Sequence, residues 1–169
     1  MRLPALLGAT LIAAAAALPA WGAPLGGISS INVVVGPKLQ QKAREYGVRE
    51  FDTLTSELIQ ALEIALREHG GLVKEGGRLD LVIEDARPNR PTLQQLASKP
   101  GLSMESRGIG GATISGALTT VEGERIPLRY RWYESDFRSA AGTGVWTDAE
   151  TSFDNFARKL VKGELPAKR

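Results

Sequence analysis

The chain has 169 residues, of which 43% are hydrophobic and 24% are charged, and these values are ordinary for one globular domain. Its 21 basic and 19 acidic residues nearly balance, so charge gives no case for a nucleic-acid partner. The chain has no cysteine and a single histidine, His69, which excludes cysteine–histidine catalysis and zinc sites with several histidines. Without disulfides, the domain must draw its stability from its core.

The first 22 residues have the pattern of a cleavable secretory signal peptide. Arg2 gives a positive start, residues 3–19 are largely apolar, and Ala20 and Gly22 are small residues at the two positions that signal peptidase reads. Because proline and glycine interrupt an alanine-rich run, we favour cleavage after Gly22 over a membrane anchor. The mature protein is therefore expected in the periplasm or outside the cell. Bacterial lipoproteins are acylated on a cysteine, so no lipid anchor is expected.

The composition also predicts the domain boundaries. The Gly/Pro-rich residues 23–29 are predicted to form a flexible leader, residues 30–163 a single α+β domain, and residues 164–169 a C-terminal tail. Alternating apolar residues over 31–35 predict a first strand. The polar segment 38–47 gives only a weak helical signal.

Two amphipathic helices are the clearest elements. Apolar residues recur at spacings of three and four over 51–66 and 153–161, as in helices that pack one side against a core. The first helix ends near His69, which suits the negative end of the helix dipole and is interpreted as a cap. Thr147 and Glu150 fit a capping box at the start of the second helix.

Strands are predicted over 79–83 and, as an antiparallel hairpin, over 112–119 and 126–133. A short helix is predicted over 92–98, where the first residues resemble a capping box. The element order predicts an α+β two-layer sandwich, in which two main amphipathic helices cover one face of a mostly antiparallel sheet of about four strands. The first strand–helix–strand unit is compatible with a parallel pair.

Residues 106–116 read SRGIGGATISG, and this glycine content invites comparison with phosphate-binding loops. A dinucleotide loop needs a glycine where Thr113 stands, and it must lead into a helix, whereas the residues that follow here predict a strand. No Gly-Lys-Ser or Gly-Lys-Thr sequence is present either. We interpret these glycines as permitting a bulge, a twist or a close backbone approach, and no cofactor is predicted.

The segment RYRWYESD over 129–136 is the most distinctive candidate surface. Alternation places Tyr130 and Trp132 on the buried side of the strand and the arginines and Tyr133 on the other side. Arginine and tyrosine are favoured at binding surfaces, because each combines a large contact area with hydrogen bonding. The alternative is a solvated sheet face with arginine stems lying over tyrosine. The predicted binding residues are Arg129, Arg131, Tyr133, Glu134 and Asp136.

Other functions compete with this one. If the end of the strand over 79–83 meets the end of the last strand, Glu84 or Asp85 would pair with Glu134 or Asp136, either to hydrolyse envelope glycans or to bind calcium. A small-ligand carrier would instead need a pocket between sheet and helices. No G-x-S-x-G nucleophile motif is present.

The motif RPT…PGLS…GIGGA.I.G and the strand end WYESD resemble those of a group of small exported proteobacterial proteins of unknown function. The resemblance spans roughly residues 32–161. It implies no activity and no catalytic residue. The element order is also similar to that of envelope modules that act as adaptors, a likeness of architecture only. The leading prediction is a non-enzymatic periplasmic or exported domain that binds a protein or glycan of the cell envelope through residues 129–133.

Overall fold

The computed structural model describes residues 27–140 and 144–165. The predicted signal peptide over 1–22 lies outside these residues, as do parts of the predicted leader and C-terminal tail. No helix in this described part of the chain is both long and apolar enough to cross a bilayer.

The folded domain extends beyond both predicted boundaries. Ile28, which was predicted in the leader, is fully buried in the first strand, and its N–H donates to the carbonyl oxygen of Gly71 at 2.7 Å. At the other end, Leu165 was predicted in the tail but is only 3% exposed. Both apolar side chains belong to the core, so the folded domain is a few residues longer at each end than the range 30–163 predicted from composition.

The order of the elements agrees with the prediction, and the α+β class is confirmed. The polar segment 38–47 folds as two short helices. The elements are β1 (Ile28–Val35), α1 (Pro37–Gln40), α2 (Ala43–Tyr46), α3 (Arg49–Glu68), β2 (Gly77–Arg87), α4 (Leu93–Ser98), β3 (Gly111–Thr119), β4 (Arg125–Tyr133), a 3-10 helix (Phe137–Ala140) and α5 (Thr147–Val161).

The four strands form one mixed sheet in the order β1-β2-β3-β4. β1 and β2 are parallel, whereas β2 pairs with β3, and β3 with β4, in antiparallel fashion. The predicted hairpin and the parallel first pair are therefore both confirmed. α3 and α5 contact each other and share one core with the sheet, which confirms the two-layer arrangement with both main helices on one face.

Alternation along the strands and the spacing of three and four along the helices direct apolar side chains into the same layer. In β2, Leu79, Leu81 and Ile83 are at most 1% exposed. Burial of such side chains contributes about 25 cal/mol per Å² of apolar surface and provides most of the stability of the fold. The helices add fully buried side chains of similar size: Leu54, Leu58 and Leu62 from α3, and Phe153 and Phe156 from α5.

Two glycines of β3 are required by the close approach of the neighbouring strands. Gly116 has φ +151°, and a Cβ atom there would lie 2.1 Å from the carbonyl oxygen of Asp80 in β2. Gly111 has φ +141°, and a Cβ atom there would lie 2.4 Å from the carbonyl oxygen of Trp132 in β4. The interpretation of these glycines as sites of close backbone approach in a strand is confirmed.

Two of the predicted helix caps are confirmed. Thr92 and Gln95 form a complete capping box at the start of α4. At the C-terminal end of α3, the Nδ1 atom of His69 lies 2.9 Å from the carbonyl oxygen of Ala65. The only histidine of the chain therefore serves as a helix cap.

The capping box predicted from Thr147 and Glu150 is wrong. α5 begins at Thr147 itself, and the side chain of its N-cap residue, Trp146, makes no capping hydrogen bond. The hydroxyl of Thr147 instead accepts a hydrogen bond from the N–H of Gly144 at 2.8 Å. The predicted cap residue is thus the first residue of the helix. An N-cap residue must have a non-helical backbone conformation, so the prediction was displaced by one residue.

A buried network of hydrogen bonds joins the β2–β3 connection to the start of α5. The side chain of Asn89 is 1% exposed and donates to Oδ2 of Asp148 at 2.6 Å, while the N–H of Asp148 donates back to Oδ1 of Asn89 at 2.9 Å. The N–H of Gly110 donates to the same Asp148 oxygen at 2.7 Å. The Asp148 carboxylate also lies in the first turn of α5, where the helix dipole favours negative charge.

Candidate functional site

The face of the sheet turned away from α3 and α5 is called the open face here. Residues that pair across neighbouring strands point to the same side of a sheet, so the register defines which side chains lie on this face. From β3 they are small: Thr113, Ser115, Ala117 and Thr119. From the edge strand β4 they are larger: Arg125, Pro127, Arg129, Arg131 and Tyr133. The open face is therefore a groove, with a low floor along β3 and long side chains on either side.

A bulge in β2 decides which of its residues reach the open face. Ile83 pairs with Ile114, but the next pair joins Asp85 to Thr113, so Glu84 is an extra residue in β2. At such a bulge two consecutive residues share one face of the sheet, and the alternation after them is reversed. Glu84 and Asp85 thus both lie on the open face, and Arg87 follows them there.

Tyr133 is the centre of a cluster that joins β2, β3 and β4. The guanidinium carbons of Arg87 and Arg131 lie 5.4 and 5.2 Å from the centre of the Tyr133 ring. The Tyr133 hydroxyl lies 3.3 Å from the hydroxyl of Thr113, which is 8% exposed at the floor of the groove. Cation–π attraction at these distances holds the two guanidinium groups on the same ring.

The groove deepens around this cluster into a polar depression of about 530 Å³. That volume lies within the range of about 300–1,000 Å³ that is usual for small-ligand sites. Three of the five predicted binding residues line it: Arg129, Arg131 and Tyr133. The other lining residues are Lys38, Glu84, Asp85, Arg87 and Thr113.

The two carboxylates of the depression already have partners. Lys42 and Lys38 donate to the two oxygens of Asp85 at 2.7 and 3.2 Å. Burial raises the pKa of Asp85, but the hydrogen bonds and charges of the two lysines outweigh it, so the pKa is lowered overall. Glu84 accepts a hydrogen bond from the Ser115 hydroxyl through Oε1. Both acids are therefore fixed as acceptors within the protein.

The arginines of the depression are different. Within residues 27–140 and 144–165, Arg87, Arg129 and Arg131 form no ion pair, and all three are exposed. A cationic side chain without an acidic partner keeps its full charge available for a ligand. This part of the open face is therefore an uncompensated positive site.

The positive charge is a property of the whole open face. The acidic residues on it are Asp80, Glu84 and Asp85. The cationic residues, together with the two lysines that pair with Asp85, are Lys38, Lys42, Arg78, Arg87, Arg125, Arg129 and Arg131. These seven cations and three anions leave 14 basic and 16 acidic residues for the rest of the chain. A nearly neutral chain thus has one face with a net charge of four positive.

Glu134 and Asp136 lie away from the depression, beyond the end of β4. The carboxylate of Glu134 accepts hydrogen bonds from the N–H groups of Ser135 and Asp136 at 2.6 and 2.9 Å, and these bonds lower its pKa. Asp136 forms an ion pair with Arg138 at 2.9 Å. The five predicted binding residues therefore fall into two groups, three at the depression and two that organise the turn after the strand.

The carboxylate pair that glycan hydrolysis requires is not assembled. Glu84 lies beside the position opposite Thr113, whereas the N–H of Glu134 donates to the carbonyl oxygen of Gly110 on the far side of β3. Glu84 and Asp85 line the depression, whereas Glu134 and Asp136 do not. Glu134 and Asp136 instead bind the backbone of their own turn and Arg138. A catalytic pair needs both carboxylates on the two sides of one substrate site. Among the described residues, no three acidic or histidine side chains are grouped as metal ligands would be.

Arg87, Lys38 and Thr113 line the depression but are not among the residues predicted from the sequence. Arg87 lies beyond the strand predicted over 79–83, whereas β2 runs to Arg87. The side of the sheet on which Arg87 lies is set by the bulge at Glu84, which shows in the sequence only as two consecutive acidic residues. The useful signal was the unusual Glu-Asp pair at the end of an otherwise alternating strand.

No protein-family model matches the chain, and no curated protein matches it. Among solved structures it is similar to the 2.35 Å crystal structure of a minor lipoprotein from Acinetobacter baumannii. The two are 14% identical, the match covers 86% of this chain and 99% of that chain, and the TM-score is 0.37. At this level the similarity carries no conclusion about the function of this chain, whose resemblance to exported proteobacterial proteins stays a prediction.

Proposed function

We propose that this chain is a non-enzymatic binding module of the bacterial cell envelope, which binds another envelope component on its open face. The observation that carries the proposal is the depression around Tyr133, where Arg87, Arg129 and Arg131 have no acidic partner among the described residues. The opposite face of the sheet is buried under α3 and α5. The open face is therefore the side of the sheet that a ligand can reach.

The state of the acids favours binding over proton transfer. A general acid at neutral pH needs a raised pKa, so that it still holds its proton when the substrate arrives. Asp85 has a lowered pKa and two lysine partners. It is therefore suited to position Lys38 and Lys42 at the rim of the depression rather than to donate a proton.

The envelope location rests on the predicted signal peptide over 1–22. It is tested together with the binding surface by photo-cross-linking in living cells. The probe replaces Arg129, which is exposed in the depression, and the matched control replaces Arg158, an exposed arginine of α5 in the opposite layer. We expect a discrete adduct in the envelope fraction from position 129 only.

The same cells test the residues that carry the binding. The triple variant Arg129→Ala, Arg131→Ala, Tyr133→Ala is followed through a probe at Lys38, an exposed residue that reaches the depression from α1. The adduct should disappear while the circular dichroism spectrum of the purified variant is retained. An adduct that survives the triple change, or that forms equally from positions 129 and 158, would contradict the proposed face.

A further inference from the structure

We infer that the depression around Tyr133 binds a phosphate monoester, the doubly charged end group of a phosphorylated alcohol. This inference rests on the proposed function and names the chemical class of its ligand. It is carried by three observations on the open face: the local balance of charge, the placement of the guanidinium groups, and the size of the depression.

The charge of the lining matches a dianion. The lining contains four cationic side chains, from Lys38, Arg87, Arg129 and Arg131, and two carboxylates. Asp85 is held by Lys38 and by Lys42, so its charge is compensated on the β2 side. An excess of two positive charges remains at the lining. A phosphate monoester carries close to two negative charges above its second pKa of about 6.

The guanidinium groups approach from two sides. Arg87 extends from β2, Arg129 and Arg131 extend from β4, and the small residues of β3 leave the space between them open. Arg87 and Arg131 both lie against the Tyr133 ring, which restricts their movement before a ligand arrives. Arginine presents a planar fork of N–H donors that fits the oxygens of phosphate. Donors on two walls suit the three terminal oxygens of a monoester better than the two oxygens of a carboxylate.

The rest of the depression has room for the alcohol part of the ligand. A volume of about 530 Å³ is far larger than one phosphate group occupies. The same lining offers Glu84, whose carboxylate already accepts one hydrogen bond from a hydroxyl group, that of Ser115. It also offers the hydroxyls of Thr113 and Tyr133, which both donate and accept. This polar lining fits a hydroxyl-bearing alcohol, such as glycerol or a sugar, better than an apolar chain.

Isothermal titration calorimetry at constant ionic strength tests the inference, with inorganic phosphate and glycerol 3-phosphate as probes and acetate as the carboxylate control. We expect saturable binding of glycerol 3-phosphate, a loss of at least tenfold in affinity for Arg131→Gln and for Arg87→Gln, and a change of less than twofold for Arg158→Gln. Affinity should also fall between pH 8 and pH 5, because the ligand loses one negative charge over this range.

Vesicles distinguish a lipid source of the phosphate from a soluble one. Phosphatidic acid carries a monoester and phosphatidylglycerol a diester. Preferential binding to phosphatidic acid vesicles, competed by glycerol 3-phosphate, would support the inference and identify a lipid headgroup. Binding of glycerol 3-phosphate without vesicle binding would support it and identify a soluble ligand.

Other outcomes would overturn the inference. These are the absence of saturable binding by any monoester, equal binding of acetate, and equal losses in Arg131→Gln and Arg158→Gln. The proposed function is judged separately, because a discrete cross-link from position 129 would persist if the partner is an envelope component without phosphate. Loss of both results would remove the binding face itself.

Discussion

The two faces of the sheet are formed by the same strands but differ in burial and in charge. On the helix-covered face, Leu81 and its neighbours are excluded from water and packed against α3 and α5. On the open face, one residue away along each strand, arginines stand over small residues, and four of these five arginines lack an acidic partner in the described part of the chain. Stability is therefore concentrated on the first face, and the capacity for recognition on the second.

The largest expected effect is a loss of stability from a substitution on the helix-covered face, and its absence would contradict this difference between the faces. Phe153→Ala, on the helix-covered face, removes a fully buried ring and should lower the free energy of unfolding by about 3–5 kcal/mol. Urea denaturation followed by circular dichroism measures it, with Phe137→Ala as the control, because Phe137 is 62% exposed. A loss below about 1 kcal/mol for Phe153→Ala would mean that the core lies elsewhere.

A buried charge in the helix layer should behave unlike the exposed charges of the open face. Asp148→Ala leaves the N–H of Gly110 without its acceptor, and it leaves the amide of Asn89 only the longer hydrogen bond to the carbonyl oxygen of Gly108, at 3.3 Å. We expect a loss of about 2–4 kcal/mol in the free energy of unfolding, since buried donors are left unpaired. Asp154→Ala on the exposed side of α5 is the control. Equal, small effects of the two changes would show that the hydrogen bonds of Asp148 contribute little to stability.

The pH dependence of stability should have opposite signs in the two layers. The pKa of Asp85 on the open face is lowered, so its contribution is present at neutral pH and is lost as the pH falls below about 4. Asp85→Asn should therefore destabilise the protein by about 1 kcal/mol at pH 7, because the pair is partly exposed, and by much less at pH 3.

Glu150 on α5 is the matching case. Partial burial and the nearby carboxylates of Glu57 and Asp154 raise its pKa, so its ionised form is unfavourable above about pH 4. Glu150→Gln should stabilise the protein by a few tenths of a kcal/mol at pH 7 and leave it unchanged at pH 3. Urea denaturation at the two pH values measures both variants. Changes of the same sign for Asp85→Asn and Glu150→Gln would contradict the charge asymmetry.

Substitution of arginines on the open face should have little effect on stability, and this result would separate recognition from folding most clearly. Arg129→Gln combined with Arg131→Gln should change the free energy of unfolding by no more than about 0.5 kcal/mol, because neither side chain has an ion-pair partner among the described residues. The same double variant, followed through the probe at position 38, should lose the cross-link and the phosphate binding. A large loss of stability would show that these arginines serve the fold.

Much of the fold could be predicted from the sequence, because its main signals are periodic. The stripes of α3 and α5 and the alternation of β4 depend only on which residues are apolar, and each predicted element was found. The parallel pairing of β1 with β2 follows from the helical crossover between them. The capping box at Thr147 failed because a shift of one residue in a helix start leaves the apolar stripe unchanged.

The candidate site was predictable only along β4. Arg129, Arg131 and Tyr133 follow from alternation within one strand. The contribution of Arg87 depends on how β2 pairs with β3 and on an extra residue within β2, neither of which is a local property. Lys38 reaches the site through α1, whose polar sequence gave only a weak helical signal. Pairing between distant segments is the part of the site that one sequence does not display.

The composition of β4 also bears on how copies of this protein behave when crowded together. β4 is an edge strand, and an unpaired edge invites another strand to add to the sheet. Pro127 has no N–H to give to such a strand, and the row of arginines would bring like charges together if two copies of β4 met. The features that make the open face positive therefore also discourage edge-to-edge polymerisation, so a ligand can use this side of the sheet without promoting fibre growth.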